Sequence, residues 1–460
     1  MLILQFKLLV TLLFLLISPA IKSLGSNNTG QIQENEIFRI SYREALEYAL
    51  EHSTEMQSAR IDVEIAASNL WEITASGLPQ FDASANYQYN FRIPTQLVPA
   101  EFFGGEEGEF VEVQFGTEQN LTASATVSQM IFDGSYIVGL RAAQIYRELT
   151  RQTLERSELD VRNKVSETYF IVLLSRDNLS IVKQNLSSLE QNLAETIEIM
   201  KAGFTDPINV DQLRLAVSNM NNRVRNMERQ YEISKNLLKF QIGYGIDREI
   251  ELSDSLDQLF NRMLIESDID IEDDFNYEDH IDYRVMLSRQ TMDFMNLRRQ
   301  QSFYLPSLTA SYTYQQMAMR SQFDFTDMSR PWFPSSFLAV TLNIPIFSSG
   351  LRSARVQEAR LELHKSELAT EQVSESLKLQ IAEARSQFLN AKEQYESERE
   401  NLELAEKILR QTTIMHREGM ATSLELTQAN DQLLTTRTNY YNAMFEFINS
   451  KNDLDKARGL

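Results

Sequence analysis

The chain of 460 residues contains no cysteine. This absence excludes disulfide bonds and thiolate metal ligands. It also excludes attachment to a membrane through a lipid-modified N-terminal cysteine. If the protein is held at a membrane, its folded surface must provide the attachment.

Residues typical of catalytic centres are scarce. There are four histidines, and no two of them have the spacing of a metal-binding pair. Neither a Gly-x-Ser-x-Gly elbow nor a phosphate-binding glycine loop is present. The sixteen methionines are scattered, and we interpret them as packing residues rather than as ligands of a soft metal. The sequence therefore predicts a protein that is not an enzyme and that needs no cofactor and no metal.

Long apolar runs are confined to the N-terminus, where Lys7 precedes an apolar segment from Leu8 to Ile17. This pattern predicts a secretory signal peptide over residues 1–23, whereas an uncleaved membrane anchor is the weaker alternative. No later stretch reaches the roughly 18–20 apolar residues of a membrane-spanning helix. The net charge of −21 argues against a nucleic-acid partner, because phosphates would repel the chain.

Proline is rare and unevenly placed. No proline occurs between residues 100 and 206, between 208 and 305, or after 345. Because a proline inside a helix costs about 3 kcal/mol, these gaps are typical of long helices. The segment from about 135 to 202 would be roughly 100 Å long at about 1.5 Å per residue. Such a length predicts a tube or a rod rather than a globular core.

The chain is an internal duplication. In each half a Leu-Pro pair opens an alternating stretch, an Ile-Phe pair ends it, and a long proline-free segment follows. Phe132 and Phe347 are 215 residues apart, and the glycines Gly203 and Gly419 are 216 apart. Internal repeats of this kind define the architecture of a chain. The motifs are Leu78-Pro79 and Ile131-Phe132 in the first copy, and Leu305-Pro306 and Ile346-Phe347 in the second.

Apolar residues recur at spacings of three and four along the long segments, which indicates coiled-coil packing. The first seam includes Val165, Tyr169, Val172, Leu179, Val182, Leu186, Leu189 and Leu193. The second includes Phe388, Ala391, Tyr395, Leu402, Ala405 and Leu409. The third includes Leu426, Ala429, Leu433, Thr436, Tyr440, Ala443, Phe447, Ser450 and Leu454.

Each long segment is interrupted at a glycine, Gly203 or Gly419, that suits the left-handed position after a helix end. Asp206 before Pro207 fits an N-cap followed by proline at the first helical position. Thr422 and Glu425 have the spacing of a capping box. Each copy therefore predicts two antiparallel helices that meet at a tight tip.

The alternating stretches predict four β-strands, with apolar residues at every second position over Phe81–Ile93, Leu121–Val127, Leu308–Gln315 and Leu338–Ile346. A soluble sandwich has the same period, but these lengths approach the ~9–11 residues of a transmembrane strand.

Four strands cannot close a barrel, and an open edge cannot lie in lipid. The chain must therefore assemble with copies of itself. Two copies give a filled eight-stranded barrel, and three give twelve strands that can enclose a lumen.

Taken together, these features resemble the TolC-like outer membrane efflux family over about Ile40 to Leu460. The resemblance is carried by the helix from Tyr42 to Leu50, the Leu-Pro entries, the exits Ser128–Gly134 and Ile344–Phe347, and the two glycine tips. It implies an α+β membrane protein in the outer membrane of a Gram-negative bacterium. It also implies a homotrimer with a twelve-stranded β-barrel in outer membrane lipid and a helical tunnel through the periplasm. The implied partners are a periplasmic adaptor and an inner-membrane transporter, and the implied function is that of a passive exit duct. A periplasmic coiled-coil scaffold or adhesin without a pore is the alternative.

The resemblance also implies site residues. The family closes its periplasmic mouth with acidic side chains just past the second glycine tip, and alignment on Gly419 places Glu425 and Gln428 there. Of the two, only Glu425 is acidic, and it can also serve as the helix cap. The candidate tip and adaptor-docking residues are Gly203, Phe204, Thr205, Asp206, Gly419, Met420, Ala421 and Thr422.

The expected organisation of the chain follows from these patterns. The predicted segments are a signal peptide at 1–23, an N-terminal segment and first helix at 24–78, a first strand pair with its outer loop at 79–133, a first helical hairpin at 134–243, an acidic linker at 244–280, a helix at 281–305, a second strand pair at 306–347 and a second helical hairpin at 348–460.

Overall fold

The computed structural model describes residues 38–267, 275–327 and 329–459. The predicted signal peptide and residues 268–274 of the predicted acidic linker lie outside these residues. The strands are β1 Phe38–Ile40, β2 Gln80–Tyr89, β3 Thr95–Pro99, β4 Phe110–Gln114, β5 Gln119–Phe132, β6 Ile250–Leu252, β7 Ser307–Arg320 and β8 Phe333–Asn343. The α-helices are α1 Tyr42–His52, α2 Thr54–Ser76, α3 Gly134–Lys201, α4 Pro207–Ile242, α5 Leu256–Ser267, α6 Ile281–Ser302, α7 Leu351–Arg417 and α8 Ser423–Arg458.

Two pairs of long helices dominate the described chain. Helices α3 and α7 have 68 and 67 residues, and each is followed by a 36-residue helix, α4 or α8. The Asp133 carboxylate begins α3 by accepting hydrogen bonds from the amides of Ser135 and Tyr136. Seam residues such as Tyr169, Phe388 and Phe447 are buried, so the predicted coiled-coil faces are confirmed. Within the described residues no α-helix has an apolar window long enough to cross a bilayer.

The four predicted strands form one antiparallel sheet in the order β2-β5-β7-β8. Apolar residues line up in a row across it: Phe81 pairs with Val127, Val127 with Tyr312, and Tyr312 with Leu338. Polar residues form the parallel row on the opposite face, where Ser84 pairs with Ser124 and Ser124 with Gln315. The alternation in the sequence therefore produces one apolar and one polar face.

The first strand ends at Tyr89, earlier than the alternation to Ile93 indicated. Beyond it the chain forms a separate two-stranded ribbon of β3 and β4, closed by a 3₁₀ turn over Ala100–Phe103. The turn ends at Gly104, which has φ of +82°. Pro79 and Phe132 are 53 residues apart, whereas Pro306 and Phe347 are 41 apart, and this ribbon lies in the loop that makes the first copy longer.

A compact hydrophobic core lies where the long helices meet residues 244–280, the segment between the two copies. Strand β1 pairs with β6 in parallel, and the buried side chains around them include Phe170, Phe260 and Phe447. The Asp254 carboxylate accepts hydrogen bonds from the Tyr42 amide at 2.6 Å and the Tyr169 hydroxyl at 2.8 Å. Burial is the main cause that raises the pKa of Tyr169, so the hydroxyl remains a donor.

Two predicted segments have more structure than their descriptions implied. The segment 244–280, described as an acidic linker, contains β6 and α5, and Phe260 of α5 is buried in the core. The first helix of the segment 24–78 is divided into α1 and α2 at Ser53. The extended backbone of Ser53 ends α1, and the Ser53 hydroxyl accepts a hydrogen bond from the Met56 amide at the start of α2.

Candidate functional site

The first helical tip connects α3 to α4 through Gly203, whose φ is +83°. The Gly203 amide donates to the Met200 carbonyl at 2.9 Å, and the Phe204 amide donates to the Ile199 carbonyl at 3.1 Å. This pair of bonds is a Schellman motif, which satisfies the last carbonyls of α3. The predicted left-handed position of Gly203 is therefore confirmed.

The second tip repeats this geometry at Gly419, with φ of +73°. The Gly419 amide donates to the His416 carbonyl at 3.1 Å, and the Met420 amide donates to the Met415 carbonyl at 2.8 Å. The His416 ring adds a contact of 2.9 Å from Nδ1 to the Ala421 carbonyl. Sequence analysis missed this contact, which joins the last turn of α7 to the residue immediately before the Thr422 cap.

The capping box at the start of α8 is confirmed. The Glu425 carboxylate accepts from the Thr422 amide at 2.6 Å, and the Thr422 hydroxyl accepts from the Glu425 amide at 3.2 Å. The pKa of the Glu425 carboxyl is lowered because the Thr422 amide and hydroxyl both donate to it. Gln428 lies three residues further along α8, and both side chains are exposed.

The start of α4 differs from that of α8. Asp206 occupies the N-cap position and Pro207 the first turn, as predicted, but the Asp206 side chain makes no capping hydrogen bond. Thr205 instead accepts a hydrogen bond from the Asn209 side-chain amide at 2.9 Å. The two tips therefore share their glycine turn and differ in polar surface, with an ionised capping acid in the second.

Both tips expose large apolar side chains. Phe204 is 84 % exposed and Met420 is 67 % exposed. Ile208 and Leu424, which sequence analysis did not select, are exposed close to them. Their signal in the sequence is an apolar residue in the first turn of a helix, next to the turn glycine. Each tip thus presents an apolar surface that the isolated chain leaves uncovered.

Within the described residues, no cluster of three or more potential metal-ligating side chains is present. A comparison with protein families finds that the pattern of the outer membrane efflux protein family matches residues 45–244 and 289–460. The chain belongs to this family. The family is one of transport channels and not of enzymes. No curated protein sequence matches the chain significantly.

Solved structures of outer membrane channels share this fold. The Campylobacter jejuni CmeC channel is 17 % identical, with a TM-score of 0.70 over 91 % of this chain and 85 % of that one. VceC of Vibrio cholerae is 14 % identical, with a TM-score of 0.67 over 91 % and 96 % of the two chains. The open state of Neisseria gonorrhoeae MtrE is 16 % identical, with a TM-score of 0.69 over 91 % and 88 %.

Family membership confirms the main functional prediction. This outer membrane efflux protein is an exit duct in the outer membrane of a Gram-negative bacterium, with its long helices in the periplasm. The four-stranded sheet and the helical tips are therefore at opposite ends of its long helices.

Proposed function

We propose that three copies of this chain assemble into one duct, with a twelve-stranded β-barrel in the membrane and a helical tunnel below it. The observation that carries this proposal is the state of the sheet edges. Within the described residues, β2 and β8 each pair on one side only, and their side chains are almost all exposed. Since an unpaired edge is unstable in lipid, another copy must cover it.

Three copies are favoured over two because the duct needs a lumen. Two copies would supply eight strands, whose inward side chains fill the interior, whereas twelve strands leave an open pore. The apolar face that contains Phe81 and Leu338 would contact outer membrane lipid, and the polar face that contains Ser84 and Ser124 would line the pore.

The tips would dock a periplasmic adaptor, which joins the duct to an inner-membrane transporter. Exposed apolar side chains on short, rigid turns are typical of protein-binding surfaces. Phe204 and Met420 supply this surface beside Gly203 and Gly419. The adaptor and the transporter, which bind the cargo first, would select it, and the duct would be passive.

The proposal is tested by the mass and the conductance of the purified protein. We expect a detergent-solubilised complex of three chains, recovered from the outer membrane, that forms ion-conducting pores in planar bilayers. A stable single chain, or recovery in the soluble periplasmic fraction, would overturn the trimeric duct.

The β3–β4 ribbon is expected to lie outside the cell, because barrels of this type have their longer loops there. A cysteine at Gly105 would be a poor probe, since its Cβ would lie 2.7 Å from that of Ala100. Glu107 is exposed and suits a Glu107→Cys variant, which an impermeant maleimide should label in intact cells. The matched variant Gly203→Cys should stay protected. Labelling at Gly203 with protection at Glu107 would invert the topology.

We propose further that Glu425 faces the pore entrance, with Gln428 as a neutral neighbour. Three such carboxylates related by symmetry would attract cations and oppose tight closure. The pKa of Glu425 is lowered, so the ionised carboxylate stabilises the tip at neutral pH. This stabilisation is lost as the pH falls through the lowered pKa. We therefore expect Glu425→Gln to reduce cation preference in single-channel recordings without loss of the trimer.

The chain contains a matched control for this variant. Glu44 forms the same capping box with Ser41 at the start of α1, and its pKa is lowered in the same way. Glu44→Gln removes an equivalent capping charge far from the tips. Equal ion selectivity in Glu425→Gln and the unmodified protein would show that Glu425 acts as a helix cap alone.

A further inference from the structure

The internal duplication extends to the hydrogen-bond register of the sheet. Leu305 follows Leu78 by 227 residues, and Phe347 follows Phe132 by 215 residues. In the first copy Gln80 pairs with Ser128. In the second copy the residues 227 and 215 positions later, Ser307 and Asn343, pair with each other. The two hairpins, β2–β5 and β7–β8, are therefore in the same register.

The other end of the hairpins obeys the same rule. Tyr89 pairs with Gln119 in the first copy, and their counterparts Gln316 and Pro334 pair in the second. The two offsets, which come from the sequence motifs, thus describe the whole length of the paired strands. A one-residue error in either offset would break this agreement.

The chain also contains one junction between hairpins, where β5 of the first copy meets β7 of the second. There Thr126 pairs with Thr313, with 3.0 Å between their hydroxyl oxygens, and Val127 pairs with Tyr312. The corresponding outer edges are β8, the counterpart of β5, and β2, the counterpart of β7. These are the two edges that have no partner within the described chain.

We infer that β8 of one copy pairs with β2 of a second copy of this chain in the register of the internal β5–β7 junction. This inference rests on the proposed trimer. The offsets place Thr341 opposite Asn86 of the second copy, and Leu342 opposite its Ala85. A Thr341–Asn86 side-chain hydrogen bond then takes the place of the internal Thr126–Thr313 contact.

The alternation of side chains in β2 and β8 agrees with this register and excludes a shift by one residue. It brings the exposed apolar residues of β8, Leu338, Val340 and Leu342, beside Tyr89, Tyr87 and Ala85 of the second copy, respectively. Both sets belong to the apolar face of their own sheet. A shift by one residue would set each apolar residue of β8 beside a polar residue of β2, because successive side chains point to opposite faces.

The absence of cysteine allows a direct test in the full-length chain. Two double variants, Thr341→Cys with Asn86→Cys and Leu342→Cys with Ala85→Cys, probe adjacent pairs. Since hydrogen-bonded and non-hydrogen-bonded pairs alternate, one of them has the shorter Cβ separation that suits a disulfide. A bond within one chain is excluded, because β2 and β8 are separated by two strands, or about 14 Å at 4.8 Å per step.

Matched controls move the second cysteine by two residues on the same face: Thr341→Cys with Ser84→Cys, and Leu342→Cys with Ala83→Cys. After oxidation of the detergent-solubilised complex, we expect species of two and three linked chains on non-reducing gels for at least one of the first two variants. The controls should remain single chains.

Cross-linking of the shifted pairs instead, or of none of the pairs, in a complex that retains the mass of three chains would overturn the register and leave the proposed duct intact. A complex with the mass of one chain would overturn the proposed trimer itself. The two failures are therefore distinguishable.

Discussion

Replacing Gly243 by alanine is expected to destabilise the protein more than a substitution at either tip glycine. Gly243 ends α4 with φ of +77°, and an added Cβ would lie 2.3 Å from the His52 carbonyl oxygen. The obstructing atoms belong to the backbone at the α1–α2 junction, so they cannot move away by a side-chain rotation. We expect a loss of about 1–3 kcal/mol from overpacking, in addition to the cost of the left-handed backbone.

Gly203→Ala is the matched control, because Gly203 has φ of +83° and no atom within 4 Å of an added Cβ. It should cost about 1–2 kcal/mol from the backbone alone. Thermal unfolding followed by circular dichroism compares the two variants. Equal unfolding midpoints would show that the α1–α2 junction yields to the added methyl group.

Truncation of Phe447 should strongly destabilise the helical region. Its ring is fully buried and lies 5.3 Å from the Phe388 ring and 5.5 Å from the Phe260 ring, measured between centroids. These partners belong to α7 and α5, so the cavity left by Phe447→Ala would lie where α5, α7 and α8 pack together. A buried phenylalanine replaced by alanine costs about 3–5 kcal/mol.

The control for this variant is Phe204→Ala at the first tip, where the same side chain is 84 % exposed. Its unfolding midpoint should be close to that of the unmodified protein. The proposed docking role predicts that this variant loses affinity for the adaptor. If Phe447→Ala unfolded at the same temperature as Phe204→Ala, the aromatic core would not determine the stability of the helical region.

Much of this fold follows from local patterns in the sequence. The long helices follow from proline-free segments with a buried seam, such as that of Tyr169, Phe388 and Phe447. The tips follow from Gly203 and Gly419, because left-handed residues at helix ends are mostly glycine. The capping role of Glu425 follows from its spacing to Thr422. Each of these features depends on residues close together in the chain.

Several of the features that sequence analysis missed depend on distant contacts. The three-residue strands β1 and β6 are too short to show an alternation, and they form because they pair with each other. Asp254 lies in no motif, yet its carboxylate joins Tyr42 to Tyr169. The division of the first helix at Ser53 is, by contrast, a local feature, because serine favours N-caps over helix interiors and its hydroxyl caps α2. The roles of Glu425 and Gln428 in a pore depend on other copies of the chain.

The pairing of β1 with β6 has a consequence for the order of folding. The Tyr42 amide and its acceptor Asp254 are 212 residues apart. A contact of this separation closes a large loop, and its entropic cost must be met before the contact contributes stability. The helix turns at Gly203 and Gly419, by contrast, join neighbouring segments and can form at once. Strand β1 therefore reaches its final place late, because its partner β6 follows β2, β5 and the helical hairpin of α3 and α4 in the chain.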